Sequence, residues 1–182
     1  MEHFLIEHCA PTLAGMKAAN LFSCTVDSVS ELNSYLYKAN NELNNKGVYL
    51  EALQNSNKRA VILVYRKKRL QKELQGKDIS DFLASYGYSC NSVTYCIEHL
   101  KERFECSDGF PHEIGVFLGY PLGDVVGFIK NGGKNSKFSG FWKVYSDECS
   151  AAKLFERYNK CRRVYMELFA GGRSIMQLTV AA

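Results

Sequence analysis

The stretch that decides the fold is Ala60–Tyr65, AVILVY. A near-continuous apolar run of this length reads as a strand buried on both faces, at the centre of a sheet. Immediately before it, Val48–Leu53 alternates weakly, and QNSNK (Gln54–Lys58) is a cluster of turn residues. Two runs joined by such a cluster form a hairpin. The basic run RKKR (Arg66–Arg69) follows the strand and opens a helical stretch, so it reads as a solvated helix turn.

Working outward to the N-terminus, Leu21–Thr25 is a further apolar run expected to be a strand. Ser28 and Glu31 have capping-box spacing, and Val29, Leu32, Leu36, Ala39 and Leu43 repeat behind them at helical intervals. Asn44–Gly47, NNKG, ends that helix with a glycine just past its last turn. Glu2–His8 is expected to form a short helical turn with Phe4 and Leu5 inward. Pro11 suits the first position of a second short helix, with Ala10 before it extended.

Towards the C-terminus, Phe82 and Leu83 anchor a short helix stopped by Gly87, and Val93, Ile97, Leu100 and Phe104 mark another over Asn91–Phe104. Ile114–Leu118 is expected as a strand. Leu122, Val125, Val126 and Ile129 then form one face of a helix. NGGKNSKFSG (Asn131–Gly140) is a loop, and Phe141–Tyr145 an aromatic strand. Ser146 or Asp147 caps a long helix whose inner face includes Phe155, Tyr158, Cys161, Tyr165 and Leu168. Gly171 and Gly172 close it before a last strand, Ile175–Val180. Interleaved strands and helices predict an α/β fold: a single domain over residues 1–182, with helices packed on a mixed sheet of five or six strands.

Composition narrows the function classes. The chain has 182 residues, 46% hydrophobic and 23% charged, with a formal net charge of +4. That balance permits contact with an anion without demanding one. No nucleic-acid motif or basic stripe accompanies RKKR, which disfavours a nucleic-acid partner. The N-terminus lacks the apolar core of an export signal, and no run approaches the ~18 apolar residues of a membrane helix. A cytoplasmic location without membrane attachment is therefore expected. The seven cysteines form no CxxC pair, and reduced thiols are expected rather than a disulfide framework.

The blocks HCAPTLAGMKAANLF (His8–Phe22) and FPHEIGVFLGYPLGDVVGFI (Phe110–Ile129), together with FWKVY (Phe141–Tyr145) and IMQLTVA (Ile175–Ala181), span nearly the whole chain. As a set they resemble an uncharacterised bacterial family, a domain of unknown function found mostly in anaerobic, Gram-positive bacteria. The resemblance implies no activity. It implies a link, through gene neighbourhood, to flavodoxins and ferrous-iron uptake.

Four places carry candidate chemistry. The first is His8–Cys9. If Pro11 starts a helix, Cys9 lies at the positive end of its dipole, where thiolate is favoured. The alternative is a Cys9 that is simply a small buried group. The second is His112–Glu113 at a strand entrance, where His112 could serve as base or metal ligand, or satisfy the carbonyls of a turn. The third is GYPLGD (Gly119–Asp124), including Tyr120. Strand, glycine turn and helix is a phosphate-cradling layout, but the spacing is not that of a dinucleotide site and Asp124 would repel a phosphate. Gly123 and Gly127 are better explained by close packing. The fourth is the glycine-rich loop Asn131–Gly140, which could close over an anion or be only a connection, followed by Trp142 and Tyr145.

The expectation that follows is a small-ligand- or metal-binding accessory or sensor protein, linked to iron or flavodoxin metabolism, with no cofactor specified. Its ligand residues would be His8, Lys17, His112, Glu113 and Tyr120, with Lys17 neutralising an anion. A metal would need His8, Cys9 and His112 to converge. The alternatives are a thiol-dependent enzyme with Cys9 as nucleophile, and an interaction module for a redox protein partner.

Overall fold

The computed structural model describes residues 2–56, 58–106 and 109–181. The AVILVY run lies in β3 (Arg59–Arg66), the middle strand of an antiparallel sheet of order β1-β3-β2, flanked by β1 (Ala19–Thr25) and β2 (Val48–Ser56). Both neighbours pair antiparallel with β3, so β1 and β2 run in the same direction with β3 between them. The helix α2 (Val29–Leu43) connects them. Its Ser28 cap accepts from the Glu31 N–H, and Gly47, at φ +76°, closes the following 3-10 turn. Asn57, in the expected hairpin turn, lies outside the described residues.

Alternation along β3 sorts its side chains between two packing layers. Ala60, Ile62 and Val64 join one apolar cluster with Leu5, Cys9 and Leu13 of α1 (Glu2–Leu13), with Leu32 and Leu43 of α2, and with Ile175 and Leu178 of α9 (Ile175–Leu178). Leu63 and Tyr65 join the other. That second layer contains α3 (Lys67–Leu74), α4 (Lys77–Ala84), α5 (Val93–Cys106), α6 (Ile114–Phe117) and α7 (Leu122–Lys130). A third, smaller cluster joins the first half of α8 (Glu148–Ala170) to Trp142 and Val144, beside the short hairpin of β4 (Phe138–Ser139) and β5 (Lys143–Val144). No helix among the described residues is long and apolar enough to cross a membrane.

The architecture is mixed α/β, with a three-stranded sheet and a separate two-stranded hairpin where one sheet of five or six strands was expected. Three segments account for the difference. Ile114–Phe117 is helical with Leu118 as its C-cap, and all five residues are buried; a run buried on all sides has no period to tell strand from helix. Ile175–Val180 begins as helix α9, nucleated by a full capping box between Ser174 and Gln177. Phe141–Tyr145 contributes only Lys143 and Val144 to strand pairing.

Pro11 is also placed differently. It lies inside α1, near the C-terminal end of that helix, rather than at the start of a new one. Its carbonyl accepts from the Met16 and Lys17 N–H groups. The RKKR run is partly internal. The Arg66 guanidinium is buried and donates to the carbonyls of Thr12, Leu13 and Val180 at 2.6, 2.6 and 2.8 Å. It thereby satisfies the negative end of α1 and ties down the C-terminus. Arg69 donates to the Gly15 carbonyl and pairs with Glu73.

Candidate functional site

A pocket of about 470 Å³ lies between α6, α7 and the β4–β5 hairpin. Its wall is aromatic: Phe110, His112, Tyr120, Phe128 and Trp142 all face it. Sites for small ligands have this size and character. The helical form of Ile114–Phe117 shapes one side. A Cβ on Gly115 would come within 2.7 Å of Val125 Cγ2 and 3.2 Å of the Tyr120 ring, so only glycine lets these side chains close over α6.

Asp124 holds the opposite side in place. It is 2% exposed, and its carboxylate accepts from Trp142 Nε1 at 2.7 Å, from Ser146 Oγ at 2.7 Å, and from the backbone N–H groups of Tyr145 and Ser146 at 2.8 Å. Burial alone would raise its pKa. The hydrogen bonds from Ser146, Tyr145 and Trp142 together outweigh that and hold it below the ordinary carboxylate value. The acid that argued against a phosphate is thus the anchor fixing Trp142 and the 142–146 segment against α7. Gly127 serves the same closure, since a Cβ there would lie 2.6 Å from the Tyr145 ring. Close packing accounts for Gly127, while at Gly123 the nearest atom, Ser146 Cβ, is at an ordinary 3.5 Å.

His112 is exposed and packs between Phe110 and Phe128, with ring centroids 5.5 and 4.8 Å away. Neither ring nitrogen has a hydrogen bond among the described residues, so both are open to a ligand. Tyr120 stacks on Trp142 at 4.8 Å and donates to the Phe141 carbonyl. Lys143 and Ser139 lie on the rim, and Lys143 Nζ donates to the Gly133 carbonyl. The Gly132–Gly133 turn therefore braces a rim lysine rather than forming a separate cradle.

The sequence-nominated residues divide into three groups. His112 and Tyr120 converge on the pocket. Glu113 and Lys17 stand behind it. Glu113 is 1% exposed and accepts from Arg103 Nε at 2.8 Å and from the Tyr88 hydroxyl at 3.2 Å, so its carboxylate is committed to the core. Lys17 is 2% exposed, with Nζ 5.0 Å from the Tyr120 ring centre and 6.0 Å from that of Tyr158. Among the described residues it makes no hydrogen bond or ion pair. Burial lowers its pKa to about 8, against the opposing fields of Cys9 and Glu73.

The third group, His8 and Cys9, belongs to α1 on the opposite side of the sheet. His8 is exposed and stacks against Phe4 and Phe22. Cys9 is 0% exposed in the cluster that contains Ile62 and Val64. With Pro11 inside α1, Cys9 sits in the C-terminal half of the helix, so the dipole argument for a thiolate reverses sign. Burial pushes its thiol well up, and the Lys17 charge only partly offsets this. His8, Cys9 and His112 do not form a ligand set, and no group of three or more His, Cys, Asp or Glu among the described residues is arranged to hold a metal.

Sequence reasoning missed Asp124 as an anchor and Phe110 and Phe128 as pocket walls. The only available signal was the density of aromatics in Phe110–Phe128 and Phe138–Tyr145, which also fits a core.

The fold and pocket define a mixed α/β protein with a three-stranded antiparallel sheet between helical layers and an aromatic cleft at one side. The chain belongs to the family described as protein of unknown function (DUF3793), whose model matches residues 5–179. No curated protein and no solved structure matches it.

Proposed function

We propose that the protein is a binding or sensing protein for a small, flat, largely apolar ligand, held in the pocket between α6, α7 and the β4–β5 hairpin. The observation that carries this reading is the pocket of about 470 Å³ walled by Phe110, His112, Tyr120, Phe128 and Trp142. Each ring that stacks on a planar ligand adds about 0.5–1.5 kcal/mol beyond simple burial. His112 supplies an unengaged imidazole for a polar group of the ligand. Lys143 at the rim favours a ligand carrying negative charge at its solvent end.

Trp142 is the chain's single tryptophan, so its fluorescence reports on the pocket directly. The probes are riboflavin, haem and 1-anilinonaphthalene-8-sulfonate, with ferrous iron and zinc tested separately. At least one aromatic probe should quench or shift Trp142 emission and raise Tm with its concentration. Phe128→Ala and His112→Ala should each weaken that binding about tenfold or more. If none of the aromatic probes changes Tm or the Trp142 emission, the reading fails. If only a metal ion raises Tm, the ligand class is wrong.

The reading of Cys9 as a catalytic nucleophile draws no support from the geometry, because the sulfur has no solvent access and burial raises its thiol.

A further inference from the structure

The proposed binding of a flat ligand gives no role to Lys17, and the placement of this residue asks for one. Lys17 is 2% exposed, and among the described residues its ammonium has no hydrogen bond and no ion pair. The groups facing it do not neutralise it. Glu73 of α3 attracts it but is already paired with Arg69 at 2.8 Å. Cys9 of α1 is a thiol that burial keeps protonated. The rings of Tyr120 and of Tyr158 on α8, 5.0 and 6.0 Å away, belong to neutral phenols. Arg69 and Arg157, whose fields reach Tyr158, add only positive charge. The ammonium thus lacks the counter-charge that buried ions normally have. Tyr120 connects it to the pocket. The Tyr120 ring lines the cleft and stacks on Trp142 at 4.8 Å, with 26° between the planes. A ligand touching Tyr120 therefore lies within about 10 Å of the Lys17 ammonium. Aromatic side chains rather than water fill the space between them, so salt screens the charge little. At an effective dielectric of about 20, a unit charge at ~10 Å changes affinity roughly tenfold. The acid on the pocket wall, Asp124, is surrounded by four donors that offset its field.

We infer that Lys17 selects the charge of the ligand: acting through Tyr120, its ammonium makes the pocket prefer a planar aromatic anion, such as an aromatic carboxylate, to a neutral or cationic molecule of the same shape. This rests on the pocket being a binding site and adds to it the charge class of the ligand. Lys143 attracts the solvent end of the ligand, and Lys17 attracts the part that lies against Tyr120. Lys17 touches no ligand atom, so it is a positioning residue for charge. The selection is tied to protonation. Burial lowers the Lys17 pKa to about 8, so the preference is present near pH 7 and lost as the amine deprotonates at higher pH. A bound anion holds the proton on Lys17, so proton uptake accompanies binding near pH 8.

The test is isothermal titration calorimetry with three probes of one shape: 2-naphthoate, 2-naphthamide and 2-(aminomethyl)naphthalene. At pH 7 the native protein should bind naphthoate about tenfold more tightly than naphthamide, and the ammonium probe more weakly than either. Lys17→Met should bring the naphthoate-to-naphthamide affinity ratio to within about threefold of one, and Lys143→Met should reduce it less. In the native protein the same ratio should fall towards one between pH 7 and 9.5, where neither of these two probes titrates. That measurement needs no variant, and a purely structural role for Lys17 would shift both affinities alike. The inference is overturned, with the pocket reading intact, if naphthamide binds the native protein as tightly as naphthoate, if the ratio survives Lys17→Met undiminished, or if it is the same at both pH values. If none of the three probes binds, the inference also falls, and the pocket reading falls with it only when riboflavin, haem and 1-anilinonaphthalene-8-sulfonate are silent too.

Discussion

Lys17→Met should stabilise the protein at neutral pH, although it deletes a cation that touches two aromatic rings. Lys17 is 2% exposed, and its pKa falls from 10.5 to about 8 through burial. At about 1.4 kcal/mol per pH unit, keeping the ammonium charged in that site costs about 3 kcal/mol. The contacts with Tyr120 and Tyr158 return about 0.5–2 kcal/mol. Methionine fills nearly the same volume without the charge, leaving a net gain of about 1–3 kcal/mol at pH 7. The sign of the pH dependence follows from linkage. The folded pKa is depressed, so the folded state binds fewer protons between pH 8 and 10.5. Lys17 therefore contributes its full stability only above 10.5 and loses it as pH falls through 8. Between pH 7 and 9.5 the advantage of Lys17→Met should shrink by about 2 kcal/mol. Urea denaturation of both proteins at the two pH values measures this. Taking the difference cancels Cys9, Tyr120 and Tyr158, which burial keeps neutral in the folded protein while their thiol and phenols begin to ionise in the unfolded chain as pH rises. Equal pH dependence in the two proteins, or a loss above ~1 kcal/mol in Lys17→Met at pH 7, would refute the account of Lys17 as an uncompensated buried charge.

Asp124→Asn replaces an acceptor facing the Trp142 N–H with a donor. It should cost about 2–3 kcal/mol in urea denaturation at pH 7. Because the folded pKa of Asp124 is lowered, its contribution is present above 3.8 and lost as pH falls through the folded value; Asp124→Asn should flatten that acid limb. Gly140→Ala puts a Cβ 2.2 Å from the buried Phe155 ring, and calorimetry should show a loss of about 1–3 kcal/mol. Alkylation followed by mass spectrometry near neutral pH should label the exposed Cys106 and Cys149 first and Cys9 only on unfolding. A Cys9 that labels as fast as Cys106 would contradict its burial.

Much of the local structure was legible. The central AVILVY strand, its hairpin with β2 and the Ser28 and Asp147 helix caps rest on contacts within a few residues, and each is present. Ile175–Leu178 was legible too, since Ser174 and Gln177 stand at capping-box spacing; the apolar run outweighed that signal. Ile114–Phe117 was not legible, because a segment buried on every side carries no periodicity.

The sequence by itself determined where helices and strands begin and end, wherever a cap, a glycine or an alternation set them. It also determined how hydrophobic each segment is. It did not determine which layers those segments join. Only the tertiary structure put His8 and Cys9 on one side of the sheet and His112 on the other, buried Lys17 behind Tyr120, and bonded Asp124 to Trp142 across eighteen residues of chain. The physical reason is range. Capping and periodicity are read within one or two turns, whereas a pocket exists only after distant segments have packed and their side chains have competed for the same space.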